Sequence, residues 1–178
     1  MAQSVRFYED PAFLRPQTYL ILAATGLYGL AAALPVAELS GPVAATELGQ
    51  VTVLGFSYAS DTARTLLPSL GNSPLDWVLK AVFAIFLGLS FYTLGQYNRR
   101  AQQLKLALGL FVLALLGQSL TLFQAHQVQQ QAITTLKAIN GGFTPWFVAL
   151  STPPLLLLLA RRMIQKDIQK IKKMDRFW

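Results

Sequence analysis

The chain has no cysteine in its 178 residues and a single histidine, His126. Without cysteine there can be no disulfide framework, Fe–S cluster or thiol redox pair. A four-helix redox membrane protein working through Cys-x-x-Cys is excluded on the same ground. One histidine rules out bis-histidine haem ligation within the chain and leaves too few ligands for a zinc site of the usual His/Cys type. Charge is scarce as well. Asp, Glu, Lys and Arg make up 13% of the residues, where a soluble domain carries about 25%. There is no Ser-His-Asp set, no carboxylate pair in a pocket-like setting and no phosphate-cradling glycine loop. No cofactor and no catalytic residue is expected.

What the chain does have is apolar length. Hydrophobic residues make up 53% of it and its mean hydropathy is +0.43. Four apolar stretches stand out: Gln17–Ala37, Leu75–Gly95, Leu106–Ala125 and Phe143–Ala160. A helix crossing a hydrocarbon core of ~30 Å needs roughly 20 apolar residues. The expected fold is therefore an all-α membrane protein, a single domain over 1–178 with four transmembrane helices in an up-down bundle. A signal-peptide core runs to about 7–15 residues. Helix one exceeds that, so it reads as an uncleaved anchor despite the small-residue run Ala31-Ala32-Ala33.

The basic residues set the orientation. Place the N-terminus, the 96–105 loop and the tail 161–178 on one side. That side then holds Arg6, Arg15, Arg99, Arg100, Lys105, Arg161, Arg162, Lys166, Lys170, Lys172, Lys173 and Arg176, leaving Arg64, Lys80 and Lys137 opposite. Twelve of 15 on one side is a strong positive-inside bias, so both termini are expected in the cytoplasm. The net charge of +7 is accounted for by topology and calls for no nucleic-acid partner. Absent from the middle third of every stretch are the ionisable residues that mark proton relays and ion paths.

Several local features carry expectations. Thr25, Gly29 and Ala33 recur every four residues, a small-residue stripe of the kind that lets helices approach closely. The external loop 38–74 is long, and such loops carry structure or function. Its segment Val51-Thr-Val-Leu-Gly-Phe-Ser-Tyr58 alternates across Gly55, which suggests a short β-hairpin or an extended segment on the external face of the bundle. That loop could contact a partner, or it could simply cap the helix ends. Asp76 and Lys80 are spaced to pair on a helix. Gln118 lies on an inward face with Ala107, Ala114, Thr121 and Ala125, and is expected to bond across helices. The pattern runs past the membrane to Ile139, where Asn140-Gly141-Gly142 offers a helix stop in the left-handed region. Pro153 and Pro154 fall mid-span and are expected to kink helix four; a static kink is the plainer reading, a hinge or binding site the sharper one. Asp167 is expected to pair with Arg99 or Arg100. The tail, basic with Ile164, Ile168 and Ile171 on one face, suits anionic lipid headgroups, or else an acidic partner. His126 reads as an interfacial polar residue rather than a catalytic base.

Three segments together resemble a known family. They are Arg15-Pro-Gln-Thr-Tyr-Leu-Ile-Leu22 with the later Pro35-Val-Ala, then Tyr97-Asn-Arg-Arg-Ala-Gln102, and the end Ala160-Arg-Arg-Met-Ile-Gln-Lys-Asp167 with Asp175-Arg176. They resemble the small four-helix inner-membrane proteins of Bacteroidota grouped as domain-of-unknown-function family 4293. The chain departs from that pattern at Ile168, where the family tends to have Glu. The resemblance implies architecture and a bacterial inner-membrane location, with no activity and no catalytic residue.

The expected role is a non-catalytic, multi-pass accessory or assembly subunit of a larger membrane complex. Its candidate structural or interface residues are Gln118, Arg99, Arg100, Asp167, Asp175, Arg176, Pro153 and Pro154. Its expected partners are the bilayer, other membrane subunits and anionic headgroups at the tail. Two rivals stay open. One is a small transporter, or a lipid- or quinone-binding protein using Gln118, Tyr92 or His126. The other is an enzyme acting on lipids near Asn98, Arg99 and Asp167.

Overall fold

The computed structural model describes residues 15–41, 47–68, 73–96, 99–136 and 140–174. In chain order they form α1 (Pro16–Ala33), β1 (Ala37–Ser40), β2 (Glu47–Thr52), β3 (Gly55–Tyr58), α2 (Asp61–Leu66), α3 (Pro74–Gly95), α4 (Arg100–Leu136), β4 (Asn140–Phe143) and α5 (Phe147–Met174). Asp175 and Arg176 lie outside the described residues.

Local chemistry explains most of the boundaries. Pro16 opens α1 and Pro74 opens α3, each at the first position, where a missing N–H costs nothing. Ser73 caps α3 by accepting from the Leu75 amide at 3.2 Å, and Ser60 caps α2 by accepting from the Ala63 amide at 3.2 Å. α1 stops at Ala33 because Pro35 pushes Leu34 into extended backbone. The helix thus ends four residues before the apolar stretch does, and the last residue of that stretch, Ala37, begins a strand.

Three described helices, α3, α4 and α5, are long and apolar enough to cross a membrane. They mark the chain as a membrane protein. α1 does not reach the same measure, since its first turn contains Gln17 and Thr18. The helices nevertheless pack as one bundle: α1 lies on α5, α5 on α4 and α4 on α3, with a lighter contact between α1 and α3. Between them sits a core that includes Ile21, Ala24, Tyr28, Phe86, Leu110 and Leu157. Leu155, Phe91 and Ile85 point outward at 62%, 66% and 57% exposure, the pattern of side chains that meet lipid rather than protein.

The stripe Thr25, Gly29 and Ala33 is not the packing face of α1. Ile21, Ala24, Tyr28 and Ala31 are fully buried instead, while a Cβ added at Gly29 would meet nothing within 4 Å. Larger apolar side chains have more surface to remove from water or lipid, and α4 supplies a notch for the largest. Gly117 lies directly under the Tyr28 hydroxyl; a Cβ there would sit 1.7 Å from it.

At one end of the bundle stands a four-stranded antiparallel sheet of order β3-β2-β1-β4. The hairpin across 51–58 is present, turning at Val53-Leu54, with Gly55 at φ +123°. Residues 140–143 correct the sequence expectation. They form a strand paired with β1 rather than a left-handed helix stop, and Gly55 is the positive-φ glycine of the described residues.

α4 ties the two parts together. At 37 residues it is about 55 Å long, against a hydrocarbon core of ~30 Å. Its final turns therefore protrude, and Ala125, Val128 and Ala132 pack beneath Leu39, Leu48, Val51 and Phe56 in a second core.

Candidate functional site

The sheet meets the bundle through a buried carboxylate. Asp76, in the first turn of α3, is only 7% exposed. Its Oδ1 accepts from the Phe56 amide of β3 at 3.3 Å and from Gln124 Nε2 of α4. One side chain thus joins a strand and two helices. The approach requires glycine next door. A Cβ at Gly55 would sit 2.6 Å from Asp76 Oδ1, and the backbone there is already in the left-handed region. Further clamps lie nearby: Val53 donates to the Ala31 carbonyl at 3.3 Å, and Thr144 donates its amide to the Val36 carbonyl at 3.0 Å. The Thr144 hydroxyl also donates to the Pro35 carbonyl.

The expected Asp76–Lys80 pair is not made. Lys80 is exposed, with its Nζ over the Trp77 ring at 5.2 Å. Asp76 faces inward toward hydrogen-bond donors, and a cationic chain four residues on has no reason to follow it away from water.

Beside this junction, between β4, β1 and α4, lies a cleft of about 300 Å³. Ala37, Leu39 and Ala125 give it an apolar floor; His126, Gln129 and the Glu38 carbonyl supply its polar groups. It opens into a wider depression of about 530 Å³ that reaches Ser40, Thr144 and Pro145. Both exist because β4 contributes Gly141 and Gly142, which have no side chains to fill them. Among the described residues no three His, Cys, Asp or Glu side chains are grouped to hold a metal ion.

The residues singled out from sequence are dispersed. Gln118 is half-buried and its Nε2 donates to Ser151 Oγ of α5 at 3.5 Å, an interhelical contact of the expected kind. Asp167 accepts from Gln17 Nε2 of α1 at 3.1 Å, not from Arg99 or Arg100. The reason is packing: α5 lies most closely against α1, while Arg99 is exposed and Arg100 half-buried at the start of α4. Pro153 and Pro154 are buried within α5, which continues through them as one helix to Met174. Their missing amides leave the Ala149 and Leu150 carbonyls without helical donors. Just before them, the Ser151 and Thr152 hydroxyls donate back to the Phe147 and Val148 carbonyls at 3.0 and 2.7 Å. Tyr92, Gln118 and His126 do not converge. Tyr92 lies near the α3–α4 hairpin, Gln118 mid-helix and His126 at the sheet.

Sequence reasoning missed Gln124 and the strand partners of β1. The signal for Gln124 was present, since it lies three residues after Thr121 on the polar side of α4.

A family profile described as "Domain of unknown function (DUF4293)" matches residues 14–177. The chain belongs to this family. The match extends over the bundle and the sheet alike, so family membership covers the whole architecture described above. No curated protein and no solved structure matches the chain significantly.

Proposed function

We propose that this family member is a non-catalytic accessory or assembly subunit of a larger membrane complex. All four long helices are inserted, both termini lie in the cytoplasm and the sheet lies outside, in a bacterial inner membrane. The positive-inside bias supports that orientation. α1 completes the set because its apolar face is buried against α5, which is itself apolar enough to span.

The observation that carries the reading is the sheet itself. Segments from two separate inter-helix connections are brought together, locked onto α4 and anchored by the buried Asp76. So fixed a platform, outside the bilayer, suits holding another protein. At the other end, Arg162, Lys166 and Lys170 are exposed on α5 and suit anionic headgroups, each worth about 1 kcal/mol near the surface. Because the basic segment continues α5 without a break, it meets headgroups with its first turns rather than lying flat along the leaflet.

Purification in mild detergent followed by native mass spectrometry tests the reading. A stoichiometric membrane partner is expected. A monodisperse lone chain would overturn it.

A further inference from the structure

The two edges of the sheet are treated differently. Beyond β3, the chain folds back as α2, and Tyr58 donates its hydroxyl to the Leu67 carbonyl at 2.6 Å. The β4 edge has no such cover among the described residues. Edge strands in soluble or extramembrane domains are normally blunted with lysine, proline, a bulge or a covering segment. β4 reads Asn-Gly-Gly-Phe and has none of the blocking residues.

The phase of its hydrogen bonds can be fixed. Thr144 donates its amide to the Val36 carbonyl, and in an antiparallel pair hydrogen-bonded and non-bonded residues alternate. Asn140 and Gly142 therefore exchange bonds with Ser40 and Glu38, their partners in the register. Gly141 and Phe143 turn their N–H and C=O groups outward. Phe143 is 59% exposed, and the cleft left open by the β4 glycines lies beside it.

We propose that β4 is a docking edge for an extended segment of a different protein, which adds a fifth strand to the sheet. This rests on the subunit reading above and names the form its partner takes. A row of unpaired backbone donors and acceptors is satisfied by another backbone in extended form, the mode of β-strand addition. The occupant is not a second copy pairing β4 with β4. The strands run away from the bundle, since Ala37, Thr52 and Phe143 lie at its end and Ser40, Glu47 and Asn140 lie far from it. A symmetric antiparallel pair would need a two-fold axis across the strands, and that operation would turn one copy upside down in the bilayer. Charge states the partner's chemistry. Glu38 is exposed on the outer sheet face, and its partner in the register, Gly142, has no side chain to screen it, so the added strand carries lysine or arginine on that side. Toward α4 it carries a small or apolar side chain that enters the cleft beside Gln129.

The experiment places a photo-cross-linking amino acid at Phe143 in the full chain and irradiates intact membranes. The expected product is an adduct with one other protein, mapped to a contiguous segment with basic residues. Gly141→Pro removes an outward N–H and no ladder bond, so the sheet persists while adduct yield falls about tenfold or more. Amide exchange supplies the second measurement. In the isolated protein Gly141 and Phe143 exchange fast and Gly142 slowly; in the complex all three are protected. An adduct with a second copy, an adduct with lipid alone, no adduct, or a yield unchanged by Gly141→Pro would each overturn the proposal. A stoichiometric partner retained without edge protection would sink the edge and leave the subunit reading standing. A lone chain in mild detergent would sink both.

Discussion

Gly55 and Asp76 form a pair in which each residue explains the other. Alanine at position 55 must hold φ near +123° and place its Cβ against the carboxylate. Gly55→Ala is expected to lower stability by about 2–4 kcal/mol, read by SDS-driven unfolding in mild detergent. Asp76→Ala orphans the Phe56 amide and Gln124 Nε2, a cost of about 2–3 kcal/mol. Asp76→Asn keeps an acceptor and is expected to cost about 1 kcal/mol, the charge-assisted part of the bond. If both Asp76 variants were equally stable, Asp76 would not be the anchor. A second residue pair lies inside the bundle. The Tyr28 hydroxyl is buried without a hydrogen-bond partner above Gly117. Tyr28→Phe is therefore expected to be neutral or to stabilise by about 1 kcal/mol. Gly117→Ala is expected to destabilise by about 1–3 kcal/mol, and by less in the Tyr28→Phe background. Equal costs in both backgrounds would show that the hydroxyl is not what Gly117 accommodates.

Among the elements, α4 has two jobs, and its sequence changes character where they meet. Through the bundle its buried positions include Ala107, Leu110, Ala114 and Gly117; beyond it they include Val128 and Ala132, facing strands. Val128→Asp is expected to release the sheet while leaving the bundle inserted. Limited proteolysis should then cut between residues 41 and 68 at protease concentrations that leave the wild type intact; unchanged resistance would count against the second core. This helix was legible from its periodicity well past the bilayer, as was the β2–β3 hairpin from its alternation around Gly55. The helix boundaries were legible where serine and proline set them. β4 was not. Asn140-Gly141-Gly142 carries the local signature of a helix stop, and only pairing with Ala37–Ser40, about a hundred residues away, makes it a strand. Backbone pairing of that range leaves no trace in glycines. Asp167 was misread for a similar reason. Its neighbours in charge were Arg99 and Arg100, but helix order placed Gln17 beside it.

For the molecule as a whole, the absence of cysteine makes the proposed orientation directly measurable. Gln50→Cys on the exposed sheet face should react with a membrane-impermeant maleimide added outside intact cells. Lys170→Cys on α5 should react only after permeabilisation, and the reverse pattern would invert the topology. The folding of the two ends also has a mechanical side. The sheet is bonded to α1 through Val53, to α3 through Asp76 and to α4 along its length. Bundle and sheet thus tilt as one body, with α4 as the beam. With about 16 Å of that beam beyond the hydrocarbon on the sheet side, a lean of about 10° sweeps its tip sideways by about 3 Å. Membrane thickness, which sets such leaning, becomes a lever on where the bare strand edge is presented.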